Sequence, residues 1–206
     1  MSVKKDRIFF VCLVLLIGLG GLLYKTFQTN PVIENYKEAG RAPLIYPDYT
    51  QLVVPPNIAP MNFVVKEDAD EYYVKIYTDN DPVITVYSGK PSIIIPFKKW
   101  QNLLSSSLNK KLFFEIYTKN GEGDWLRYEP ITNMISNEDI DPYVVYRRMS
   151  PSSYQPKEMF IKQRNISSYK ETSVFDNSTY DEGCINCHAF VNIKPDKFTL
   201  GIRSAN

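Results

Sequence analysis

Cys184-Ile185-Asn186-Cys187-His188 brings two thiols and an imidazole together within five consecutive residues. The order C-x-x-C-H is the one by which a c-type haem is attached to a chain. The two thiols add across the vinyl groups of the macrocycle, and the adjoining imidazole becomes an axial ligand to the iron. These residue types are scarce here: His188 is the only histidine, and Cys184 and Cys187 are two of three cysteines. The expectation is one covalent haem c, with thioether bonds at Cys184 and Cys187 and iron ligation by His188.

Two other chemistries use the same side chains. Tetrahedral zinc takes four ligands, mostly Cys and His. The chain has no second His, and its remaining cysteine, Cys12, lies in an apolar N-terminal run. A mononuclear zinc site here therefore needs carboxylates or a second chain. A redox or structural disulfide is the other alternative. A thioredoxin-type C-x-x-C sits between a strand and a helix, whereas Tyr180-Asp181-Glu182-Gly183 leads into this one without a strand pattern.

The second axial position of the iron has no evident owner. A low-spin electron-transfer haem takes Met or a second His there. Met61, Met134, Met149 and Met159 are the methionines besides Met1, and Tyr154, Tyr169 and Tyr180 are nearer in sequence. None is singled out. Phe175, Tyr180, Phe190 and Phe198 suit the packing of a haem and the packing of an ordinary core equally. Asn165-Ile166-Ser167 and Asn177-Ser178-Thr179 match the N-glycosylation pattern and are given no role.

The elements that must position the motif follow from the rest of the chain. Lys4, Lys5 and Arg7 precede an apolar run of about 17 residues, Ile8 to Tyr24, closed by Lys25. This reads as an N-terminal transmembrane helix with its positive flank in the cytoplasm. The expected location is a single pass of the inner membrane, with the C-terminal part in the periplasm. A cleaved signal peptide is the alternative, but Gly20-Gly21-Leu22-Leu23-Tyr24 lacks the small-x-small cleavage pattern. Phe9-Phe10-Val11 before Cys12 are too bulky for a lipoprotein site. Export agrees with the motif, since c-type haem is attached on the outer side of the bacterial inner membrane.

Lys+Arg 24 against Asp+Glu 23 leaves a net charge of +1, which indicates no nucleic-acid surface. A hydrophobic content of 44% with 14% aromatics suffices for a buried core. Three regions are expected: a membrane anchor at 1–29, a β-sandwich domain at 30–149 and a haem-attachment segment at 150–206. The second region opens on a proline-punctuated lead-in with Pro31, Pro43, Pro47, Pro55, Pro56 and Pro60, which favours extended, irregular chain. Strand patterns follow at 61–66, 72–78, 83–87, 92–95, 111–118, 125–128, 144–149 and 159–162. Asn120-Gly121-Glu122-Gly123 is a hairpin signal. One short helix interrupts the strands, from Phe97 to Leu108, with Phe97, Trp100, Leu103 and Leu104 on one face. The fold class is mainly β, a sandwich with a small barrel as the alternative. The final segment, rich in Ser, Asn, Pro and Tyr, is expected to be irregular.

Three phrases stand out together: Ile45-Tyr46-Pro47-Asp48-Tyr49 through Pro55-Pro56-Asn57-Ile58-Ala59-Pro60-Met61-Asn62-Phe63, Asp141-Pro142-Tyr143-Val144-Val145-Tyr146-Arg147, and Cys184-Ile185-Asn186-Cys187-His188-Ala189-Phe190. They resemble the N-terminal region of exported TolB-like proteins related to the hydrazine synthase alpha subunit. The resemblance spans roughly residues 40 to 200. In that family a β-domain is followed by a C-x-x-C-H segment and then by a β-propeller. It implies haem ligation at Cys184, Cys187 and His188, and a downstream propeller domain as partner. This chain ends at Asn206, where the propeller should begin, so a truncated or split product is expected. With one haem motif, hydrazine chemistry is not implied. The expected function is electron transfer by a membrane-anchored, exported c-type haem protein that works with redox partner proteins. A non-catalytic interaction module and an open-site haem enzyme are the alternatives.

Overall fold

Alternating apolar residues build the centre of the fold. This computed structural model describes residues 33–79, 83–149, 158–191 and 197–203, and for residues 186–188 the backbone alone. In β5 (Glu71–Thr78) Tyr72, Val74 and Ile76 are buried on one face, and in β8 (Lys111–Lys119) Leu112, Phe114 and Ile116 match them. The two strands pair antiparallel along their length, with Ile76 opposite Phe114 and Val74 opposite Ile116. β6 (Ile84–Ser88) adds to the far side of β5.

The other edge of β8 is shared by two short strands in series, β9 (Trp125–Arg127) and β10 (Ile131–Ile135). Pro130, which has no amide to donate, falls between them. β1 (Tyr36–Glu38) runs parallel to β9 and β3 (Val53–Val54) parallel to β10, completing a seven-stranded sheet.

A second sheet, β2 (Ile45–Tyr46), β4 (Phe63–Val65) and β7 (Ser92–Ile93), packs on the apolar face of the first. So does the helix α1 (Phe97–Ser106), through Trp100, Leu103 and Leu104. Phe63 and Trp100 both rest on Phe114, at ring-centroid distances of 6.0 and 6.2 Å. The indole Nε1 of Trp100 donates to the Ile58 carbonyl at 3.0 Å, so its one polar atom is satisfied inside the core.

Two further layers follow. β11 (Tyr143–Met149), β12 (Met159–Asn165) and β13 (Glu171–Asp176) form an antiparallel sheet, and β14 (Cys184–Phe190) pairs antiparallel with β15 (Phe198–Arg203). The Ala59 amide donates to the Ile166 carbonyl at 2.8 Å and Asn57 Nδ2 to the Ile140 carbonyl at 2.8 Å, tying the proline-rich lead-in to this sheet.

Three expectations are corrected. The described part of the segment after residue 150 is not irregular, because β12 to β15 occupy much of it and β11 pairs with β12 rather than with the main sheet. The plain two-sheet sandwich becomes one large sheet covered jointly by a three-stranded sheet and a helix. Among the described residues no helix is long and apolar enough to cross a membrane. The expected transmembrane helix and single-pass inner-membrane location therefore have no support, and the run Ile8 to Tyr24 lies outside the described residues.

One ion pair locks the lead-in to the second sheet. Arg41 Nη1 and Nη2 reach the two carboxylate oxygens of Glu67 at 2.7 and 2.6 Å, and the Leu44 amide donates to the same carboxylate at 2.8 Å. Arg41 holds the Glu67 carboxyl below its ordinary value of 4.5. A depressed carboxyl stabilises the fold fully above that ordinary value and loses its contribution as pH falls through its own lower one. Unfolding titrations should therefore show stability declining as pH drops below about 4.5, and Glu67→Gln should remove that part of the decline while lowering stability at neutral pH. Phe114→Ala should cost about 3–5 kcal/mol in the same assay, since two covering elements lose their contact.

Candidate haem-attachment site

The chain enters the motif through a tight turn. After β13 a single 3-10 turn spans Asn177–Tyr180, capped by the Asp176 carboxylate, which accepts from the Ser178 amide at 2.9 Å. Asp181 and Glu182 then adopt left-handed backbone, with φ of 49° and 55°. A Cβ on Gly183 would lie 2.7 Å from the Arg203 carbonyl oxygen and 3.0 Å from that of Tyr180, so only glycine fits there. Cys184 is the next residue.

Asn177 holds this turn from inside. It is fully buried; its Oδ1 accepts from the Met159 amide and its Nδ2 donates to the Gly183 carbonyl, both at 3.2 Å. The start of β12 is thereby joined to the residue before Cys184. Arg147 Nη1 on β11 donates to the Ile185 carbonyl at 3.0 Å. Ile185 is fully buried with Ile161 and Met159, and Val145, Phe175, Cys184 and Leu200 pack around them. The first half of the motif is thus seated on one face of the β11–β13 sheet.

Within the motif the strand is irregular. Ile185 stands opposite Ile202, but the register then shifts so that His188 stands opposite Leu200, with one extra residue in β14. In a regular strand, positions three apart lie on opposite faces. A one-residue bulge breaks that alternation, and a C-x-x-C pair needs such a break if both thiols are to serve one edge of a ring. Cys184 is a half-buried thiol at the margin of the apolar cluster. The ring of Phe175 in that cluster stacks on Tyr180 with centroids 5.5 Å apart. Phe190 and Phe198 face each other across the β14–β15 pair at 5.9 Å. A broken strand, a thiol beside apolar surface and flat rings nearby suit a c-type haem.

The β11–β13 sheet sorts the methionines and tyrosines named as candidate ligands onto its two sides. Val145, Arg147 and Ile161 point toward β14, while Val144, Tyr146 and Arg164 line a cavity on the opposite face. Met149 and Met159 are cross-strand partners in register with the β14 side. Met61 and Tyr169 line the cavity, and Met134 is exposed on β10 of the main sheet. Tyr154 lies outside the described residues.

Sequence reading missed Asn177, Arg147 and Gly183 as positioning residues. Asn177 stood out there only as part of a glycosylation pattern given no role, and its burial and committed amide agree with that. A turn-forming run of Asp, Asn, Ser and Gly before the motif was the available signal. The chain matches no family model and no curated protein.

Asn177→Ala leaves the Met159 amide and the Gly183 carbonyl without their partner. Thermal or denaturant unfolding should show a loss of about 1–3 kcal/mol, and Gly183→Ala should be destabilising as well, because the obstructing atoms are backbone.

Proposed function

We propose that this protein is a c-type haem protein that transfers electrons between protein partners. The observation that carries the reading is the C-x-x-C-H motif on a bulged strand that is pinned at its entry by Gly183, Asn177 and Arg147. In this reading the Cys184 and Cys187 thiols would hold the haem by two thioethers, each sulfur adding to a vinyl carbon and its proton to the neighbouring one. His188 would supply a nitrogen ligand to its iron. The bound group supplies a one-electron iron couple. The β11–β13 sheet gives the motif's strand a packed base through Met159, Ile161 and Arg147.

The resemblance to the N-terminal region of TolB-like, hydrazine synthase alpha-related proteins supports the same ligation, and makes a propeller domain a candidate partner. An open-site haem enzyme is the second reading. It is favoured by the absence of a second histidine in the sequence and by the position of Met61 across the sheet from the motif.

The full chain, co-expressed with a cytochrome c maturation system, should stay red after acid-acetone extraction and gain the mass of one haem. Cys184→Ala or Cys187→Ala should reduce or abolish stable attachment. A colourless, zinc-bound product would end the proposal. A reduced spectrum unchanged by carbon monoxide is expected for electron transfer, and carbon monoxide binding would favour the open-site reading. Met61→Leu should leave the spectrum unaltered, because the β11–β13 sheet stands between that side chain and the attachment strand.

A further inference from the structure

We propose that the cavity between the proline-rich lead-in and the β11–β13 sheet binds a small amphipathic monoanion of the medium-chain fatty acid class. The cavity has a volume of about 600 Å³, within the range of small-ligand sites. Leu52, Pro55, Ile58 and Met61 from the lead-in and Val144 and Ile166 from the opposite side make its walls apolar.

Most polar atoms around these walls are already committed. The Tyr49 hydroxyl donates to the Asn62 carbonyl at 3.3 Å, the Tyr169 hydroxyl to the Pro60 carbonyl, and the Tyr146 hydroxyl to Glu171. The Ile58 carbonyl accepts from Trp100, and the Ala59 amide and Ile166 carbonyl satisfy each other. The rings therefore present carbon to the cavity while their oxygens are turned to protein partners. A purely polar ligand finds little to bond there.

Arg164 is the exception. It lines the cavity, with its guanidinium 5.6 Å from the centroid of the Tyr169 ring. Glu171 stands opposite it in the ladder, but that carboxylate lies 3.7 Å from Arg148 and 3.9 Å from Lys162 and also takes the Tyr146 hydroxyl. Among the described residues no carboxylate forms an ion pair with Arg164. Arg148, Lys162 and Arg164 outnumber Glu171, so this face of the sheet is net cationic. An apolar chamber with one unmatched guanidinium at its mouth fits an apolar tail carrying a single carboxylate, which the planar fork grips in two places. The haem-attachment strand is on the other face of the same sheet, so this site is independent of that proposal.

Isothermal titration calorimetry of the full chain with dodecanoate below its micellar concentration, and with 1-dodecanol, tests the assignment. Dodecanoate should bind saturably at one site. Arg164→Gln should weaken dodecanoate about tenfold, the size of a lost charge-assisted bond, and leave dodecanol unchanged. Val144→Trp, made at a position that is 48% exposed, fills the chamber from its open side and should abolish binding of both while circular dichroism stays that of the parent. No saturable dodecanoate binding to the parent, or binding undiminished in folded Val144→Trp, would overturn the proposal. Equal losses for acid and alcohol in Arg164→Gln would overturn the anion assignment.

Discussion

The packing of Phe114 is the contact on which the rest of the architecture depends. Its ring is almost fully buried, lies on the central strand of the large sheet, and meets both Phe63 of the second sheet and Trp100 of the helix. Both covering elements are short. The second sheet consists of strands of two or three residues, and the helix is ten residues long with no side-chain cap. Isolated elements of that size do not persist in water. They persist here because a common apolar surface removes both from solvent at once.

The β11–β13 sheet is the second organising feature, because its two faces serve different purposes. One face carries the cluster of Met159, Ile161 and Ile185 that seats the strand with the C-x-x-C-H motif. The other closes an apolar cavity against the proline-rich lead-in. The strict alternation of a strand makes this division sharp: Val144 and Val145 are neighbours in the chain yet belong to different environments. A single sheet three strands wide thus separates the strand that carries the C-x-x-C-H motif from an apolar cavity lined by Arg164.

Buried polar groups supply the specificity that apolar packing lacks. Glu115 is nearly inaccessible on the outer face of the main sheet and is matched by Arg127, which also reaches Glu38 on β1 at 3.0 Å. That pairing ties the edge strand to the sheet through charge. Burial, reinforced by the Glu115 carboxylate, pushes the neighbouring Tyr117 hydroxyl well above its ordinary value, so it remains protonated. Asn177 does for the motif what Arg127 does for the edge. Each group is costly to bury alone, and each has partners where it stands.

Local pattern made part of this legible from sequence. The alternation in β5 and β8, the stripe of Trp100, Leu103 and Leu104 on the helix, and the C-x-x-C-H order all follow from rules that operate within about ten residues. Other features were illegible because they are decided by partners far apart in the chain. β3 is only two residues long and exists because Val53 and Val54 lie beside Met134 and Ile135. β14 showed no alternation because its register breaks inside the motif, and the partner strand β15 is what defines that break. The C-x-x-C-H motif was therefore a property of sequence alone. Tertiary structure decided which face they rest on, which asparagine and arginine hold them there, and that an apolar chamber lies behind the sheet, since each of these requires non-local segments to meet.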